Sequence, residues 1–186
     1  RNETQSGKTI AMTREQLEHV LRAASAITAC NDLVVIGSQS ILGAFPNAPS
    51  RLLVSMEVDL YPRNNPALAE LIEGSIGEQS DFHKTFGYYG HGIGPETATL
   101  PSGWSTRLVP INSPATGGAT GWCLSPADLA ISKLAAGREK DLDYVGMLIH
   151  LGCISAEDIL RLRNEVSAEL WPLLEGRLKR ALNQMR

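Results

Sequence analysis

The apolar and polar positions change period repeatedly along the chain. After Thr13-Arg14-Glu15-Gln16, an N-cap with a reciprocal Gln three residues on, Leu17, Val20, Leu21, Ala24 and Ile27 recur at helical spacing and predict a helix over residues 13–29. Residues 33–36 are a short, wholly apolar strand. Gly37-Ser38 turns the chain into a short helix over 39–45, ended at Pro46. Residues 52–61 alternate with period two. Leu53, Ser55, Glu57 and Asp59 share one face; Val54, Met56, Val58 and Leu60 share the other, and the acidic face is expected to open onto a site.

The middle of the chain is less regular. A helix is expected over 66–76, a linker over 77–84, and a strand running into a turn over 86–93. Short strands follow at 97–100 and 107–111, separated by a Pro-Ser-Gly turn signal. Residues 113–121, rich in Gly, Thr and Ala, lack periodicity and read as a mobile surface loop. From Ser125 the pattern is helical again, with Ser125 at the N-cap and Pro126 at the first helical position. Further helices are expected over 140–151, from a cap at Ser155, and over 170–185. The expected division is a lead-in of residues 1–12, a sheet-forming α/β part over 13–123, and a helical bundle over 124–186, an α/β (α+β) class without internal repeats.

Composition narrows the function classes. A chain of 186 residues with net charge −3 has no global basic field for nucleic acid. No apolar run reaches the length of a membrane span. Cys30, Cys123 and Cys153 are too far apart for a zinc or disulfide framework, and Cys30 and Cys153 are expected in the core. A reducing, cytoplasmic setting follows. His19 and His150 fall within helices and read as structural; His83 and His91 are separated by an expected strand, so no histidine metal site is expected.

Two constellations carry candidate chemistry. Glu57 and Asp59, two apart on one strand face, repel each other unless a cation lies between them. The Gly37-Ser38 turn at a helix start offers N–H groups and a hydroxyl to an anion. Metal-binding acids beside a phosphate-binding turn suit nucleotide chemistry. The alternative is a half-exposed strand beside an ordinary turn. Lys133, Arg138, Lys140, Asp141 and Asp143 form the second group. Lys133 lies beside an otherwise apolar helix face and reaches a phosphate or a charged partner. Asp141 braces Lys133 or Arg138, or contacts a base or ribose. The alternative here is a solvated helix joint with exposed ion pairs worth about 0–1 kcal/mol each.

VVIGSQSIL followed by SMEVDLY resembles the strand-turn-helix and acidic strand of the nucleotidyltransferase superfamily, the polymerase-β-like fold. DLAISKLAAGREKDLDYV is similar to the helical motif of AbiEii toxin-type bacterial nucleotidyltransferases and related uncharacterised families. The resemblance implies a nucleotidyltransferase-like mixed sheet flanked by helices, with a C-terminal helical bundle closing one side of a nucleotide cleft, and that Gly37, Ser38, Lys133 and Arg138 bind the triphosphate of an NTP. It implies that Glu57 and Asp59 hold Mg²⁺, and that Lys133 and Asp141 complete the catalytic set. The implied reaction is transfer of a nucleoside monophosphate to a hydroxyl on RNA or protein, with an antitoxin as possible partner and no membrane association. The chain departs from the family pattern in two ways. Glu57 stands where aspartate is usual, and no third carboxylate lies on the following strands, Glu96 being the nearest. Both departures favour a second reading, a degenerate member that binds nucleotide or a partner protein without catalysis.

Overall fold

The computed structural model describes residues 10–185. Five strands make one mixed sheet: β1 (Asp32–Val35), β2 (Glu57–Pro62), β3 (Tyr89–Gly92), β4 (Val109–Ile111) and β5 (Thr120–Cys123). Their spatial order is β3-β2-β1-β5-β4. β1 runs antiparallel to β2 and parallel to β5, while β3 is parallel to β2 and β4 antiparallel to β5. Among the described residues eight α-helices surround it: α1 (Arg14–Thr28), α2 (Ile41–Ala44), α3 (Ala69–Ile76), α4 (Asp81–Phe86), α5 (Pro126–Ala136), α6 (Glu139–His150), α7 (Ala156–Leu160) and α8 (Trp171–Gln184). The mixed sheet with flanking helices is the fold class that the family resemblance implies. Among the described residues no helix is long and apolar enough to cross a membrane.

The helix ends follow the caps visible in the sequence. Thr13 and Gln16 close a reciprocal capping box at α1, and Ser155 does the same with Asp158 at α7. Ser125 caps α5, and Gly137 ends it in the left-handed region at φ 68°, where a side chain is strained. The buried apolar residues from Met12 to Ala181 form one cluster, so the C-terminal helices pack onto the same core as the sheet. Residues 1–9 of the expected lead-in lie outside the described residues. Met12, assigned to the lead-in by its sequence, is instead buried, and its N–H donates to Leu53 O at 2.8 Å.

Five local expectations are corrected. β2 starts at Glu57, because Ser50–Leu52 form a 3₁₀ turn after Pro49. The expected alternation therefore fails before Met56: Leu53 is buried and Val54 is 57% exposed. Residues 81–86 of the expected linker are α4, capped by the Ser80 hydroxyl, with Phe82 and Phe86 packed on His19. Residues 97–100 form no strand; Pro95–Thr97 is a 3₁₀ turn. The expected loop over 113–121 is ordered. Ser113 caps a 3₁₀ turn, the buried Thr116 hydroxyl bonds Ser113 O and Ala119 O, and β5 begins at Thr120 between β1 and β4. Cys123 is buried, whereas Cys30 and Cys153 are only half-buried, not core residues.

Candidate active site

The site is built at the ends of β1 and β2, where the sheet pairing positions the turn. Ile36 N–H donates to Asp59 O at 3.0 Å, so the chain leaves β1 alongside the acidic residue. Ser38–Ser40 then form a 3₁₀ turn, locked by the Ser40 hydroxyl on Gly37 O at 2.7 Å. Gln39 donates its amide to Ser55 O, which ties the turn to the segment before β2. Gly37 is buried, and its role is space, not backbone freedom. A Cβ there would lie 2.2 Å from Asp59 Oδ2. The Asp59 carboxylate thus rests against bare backbone at the position where the turn begins.

Within β2 the expected alternation holds: Val58 and Leu60 are fully buried, and Glu57 and Asp59 lie on the other face, half-buried. β3 supplies each acid with a partner by register, since Glu57 pairs with Tyr89 and Asp59 with His91. The Tyr89 hydroxyl donates to Glu57 Oε2 at 3.0 Å. His91 Nδ1 lies 2.8 Å from Asp59 Oδ1, and donates to it when Asp59 is ionised. Burial raises the Asp59 carboxyl above the usual carboxylate range. The Glu57 charge adds to this rise; the His91 hydrogen bond and charge and the Lys133 charge oppose it.

α5 and α6 form the facing wall. Lys133 sits in the last turn of α5, and Asp141 in the first turn of α6. Asp141 is 1% exposed. Its Oδ2 accepts from Arg138 Nε at 2.7 Å and from Arg138 N–H at 3.1 Å, and its Oδ1 lies 3.6 Å from Lys133 Nζ. Asp141 therefore braces Lys133 and Arg138 together. Burial alone would raise the Asp141 carboxyl; Arg138 and Lys133 overcome this and hold it below its ordinary value. Burial lowers the Lys133 amine, against the attraction of Asp141 and Asp59. The ammonium also stacks over the Tyr144 ring at 5.1 Å. Tyr144 donates its hydroxyl to Ser38 O at 2.9 Å, linking α6 to the turn across the cleft. Arg177 of α8 donates to Leu134 O and Ala135 O, both at 2.8 Å, and so satisfies the open carbonyls at the end of Lys133's helix.

Two clefts meet at this wall and share Glu57, Asp59, Lys133, Arg138 and Asp141. One, of about 500 Å³, adds Ser38 together with Arg51 and Lys140. The other, of about 310 Å³, adds Gly37, His91 and Ser132. All of Gly37, Ser38, Glu57, Asp59, Lys133, Arg138 and Asp141 thus line this paired cavity. Glu96, the nearest acid by sequence, does not; it lines a separate cavity with Glu70 and Gly92.

Glu57, Asp59 and His91 each offer a donor atom, all within 4.8 Å of one another. Two carboxylates and an imidazole, with one acid destabilised by burial in its ionised form, fit a divalent cation. The expectation that no histidine joins a metal site rested on His91 being set apart by a strand, whereas the β2–β3 register brings it beside the two acids. His91 was obscured because pairing between β2 and β3 is not encoded locally, although Tyr89 and His91 have the same two-residue spacing as the acids they face. Gly37→Ala is expected to push the Asp59 carboxylate aside and weaken divalent-cation binding by about 10- to 100-fold, with unchanged far-UV circular dichroism. Isothermal titration of the cation into both proteins measures this.

A protein family described as "Nucleotidyltransferase of unknown function (DUF6036)" matches residues 15–177, a span that includes every residue of the site. No curated protein gives a significant match. No solved structure does either.

Proposed function

The chain belongs to the DUF6036 family of nucleotidyltransferases, and from that premise we propose that it transfers a nucleoside monophosphate from an NTP to a hydroxyl on RNA or protein. The proposed setting is the cytoplasm, with the protein as the toxin of a toxin–antitoxin pair of AbiEii type and Mg²⁺ as the divalent ion. The observation that carries the catalytic part is the meeting of Ser38, Glu57, Asp59 and Lys133 in one cleft. The similarity of the segment from Asp128 to Val145 to AbiEii-type enzymes supports the toxin role and an antitoxin partner.

The chemistry follows from charge. Arg51, Lys133, Arg138 and Lys140 gather four cationic side chains around the larger cleft, and the Ser38 turn adds a hydroxyl. Together they favour a polyphosphate there. Asp141 holds Lys133 and Arg138 toward it as a positioning residue. Glu57 and Asp59 hold the divalent ion, which neutralises charge on the phosphate oxygens when bound. The acceptor hydroxyl oxygen forms a bond to the α-phosphorus as the bond from that phosphorus to the β-phosphate bridging oxygen breaks. Pyrophosphate leaves, and the hydroxyl proton passes to water. Catalysis here is chiefly positioning and charge stabilisation.

The second reading, nucleotide or partner binding without transfer, is favoured by the hydrogen bond from Tyr89, which engages one oxygen of Glu57, already a replacement for aspartate. Titration with each NTP in the presence of Mg²⁺ tests the binding step, and label transfer from α-³²P-NTP to cellular RNA and protein tests the reaction. Transfer is expected. Binding without transfer across a broad set of acceptors supports the second reading, and absence of any divalent-dependent NTP binding overturns both.

A further inference from the structure

We propose that His91 is a third ligand of the divalent ion held by Glu57 and Asp59, and that its imidazole makes the site prefer Mn²⁺ to Mg²⁺. This rests on the reading of Glu57 and Asp59 as cation ligands, and goes beyond it in the donor set and in the ion.

Three observations carry it. The donor atoms of Glu57, Asp59 and His91 are mutually within 4.8 Å. An ion bonded at about 2.2 Å places its donors roughly 3–4.4 Å apart, so one ion bridges all three with small side-chain adjustments. The three residues also stand on paired strands: Asp59 and His91 are direct register partners, and Glu57 is two residues along the same face. Strand positions hold ligands more closely than loops do. Finally, the tyrosine hydrogen bond uses Glu57 Oε2 and leaves Oε1 for an ion, while the bare backbone of Gly37 accommodates Asp59 Oδ2 and so fixes the carboxylate beside it.

The His91 ring is accessible, its side chain 39% exposed, so it turns toward the ion without unpacking the core. On ligation Nδ1 exchanges its hydrogen bond to Asp59 for the metal, and the ring proton resides on Nε2. The donor chemistry sets the preference. Mg²⁺ takes oxygen ligands and keeps its water shell, whereas Mn²⁺ and later first-row ions accept imidazole nitrogen alongside carboxylate. Lys133, on the other wall, is an ammonium and donates to phosphate, so it does not enter the ligand set.

The test uses the full chain and metal alone. Mn²⁺ and Mg²⁺ affinities are measured by titration and by competition, using the electron paramagnetic resonance of free Mn²⁺, for wild type, His91→Ala, His91→Asp and Asp59→Ala. Wild type is expected to bind Mn²⁺ at least tenfold more tightly than Mg²⁺. His91→Ala should lose about tenfold or more in Mn²⁺ affinity, with a smaller loss for Mg²⁺, and His91→Asp should narrow the ratio by restoring Mg²⁺. Pulsed measurements on bound Mn²⁺ should show coupling to an imidazole nitrogen that disappears in His91→Ala. Asp59-dependent Mn²⁺ binding without nitrogen coupling overturns the proposal for His91 and leaves the carboxylate site standing. No Asp59-dependent binding of either ion overturns both.

Discussion

Asp59→Asn is expected to reduce nucleotidyl transfer by about 10²–10³-fold or more, yet leave the metal-free protein at least as stable as wild type. The two expectations have one cause. Asp59 is half-buried beside Glu57, and burial raises its carboxyl above the ordinary value. An acid whose folded pKa exceeds its unfolded pKa destabilises the fold when ionised. That penalty is complete above the folded pKa and disappears as the pH falls below the unfolded one. Metal-free wild type should therefore gain stability as the pH drops through this window, by an amount the Asn variant lacks. Asparagine keeps the shape and the contact with His91, but removes the charge. A divalent cation at 100 times its dissociation constant adds about 2.7 kcal/mol to wild type and nothing comparable to Asp59→Asn. Thermal melts with EDTA and with cation, across pH 4–8, read all of this. Melting of Asp59→Asn well below wild type in EDTA would show instead that the carboxylate is structural.

Asp128→Ala is expected to be the most damaging single change to stability, at about 3–5 kcal/mol. Asp128 is fully buried at the first turn of α5. Its two oxygens accept the Arg107 fork at 2.9 Å (Nε) and 2.7 Å, and Oδ2 also accepts from the Ser125 hydroxyl at 2.6 Å. Arg107 reaches on to Glu165 at 2.6 Å and to Ser102 O. Removing Asp128 strips the guanidinium of its buried counter-charge and frees the cap of the helix that carries Lys133. The melting temperature should fall by roughly 6–20 °C, with nucleotide affinity falling alongside. The control is Asp158→Ala, whose ion-pair partner Arg161 is exposed and whose cap serves only the short α7; a much smaller loss is expected there. An equal loss in both variants would refute the distinction between the buried and the exposed pair.

The parts of this molecule that were legible from sequence are those written in local chemistry. The caps at Thr13, Ser125 and Ser155 mark helix starts because each satisfies backbone groups within three residues. Glu57 and Asp59 share a face because a strand's period is two, and Lys133 required a counter-charge because its helix face is apolar. What was not legible depends on distant neighbours. β5 reads as a loop because Gly121 occupies a core position pressed by Leu21 of α1, where a Cβ would lie 2.5 Å from that side chain. α4 is too short, at six residues, to display a helical period. His91 enters the site only through the pairing of β3 with β2, and the end of β2 nearest the turn was overextended because a 3₁₀ turn can imitate one beat of alternation.

The grip of Arg177 on Leu134 O and Ala135 O sets an order on the protein's birth. A ribosome releases the acidic strand and the glycine turn long before it releases α8, and N-terminal parts fold first during synthesis. Until Arg177 emerges, the end of the helix that carries Lys133 lacks the guanidinium that satisfies the Leu134 and Ala135 carbonyls. The end of the helix that carries Lys133 is thus the last part of the cleft wall to be secured, after Glu57 and Asp59 have already emerged, and completion of the cleft waits until synthesis has passed α8.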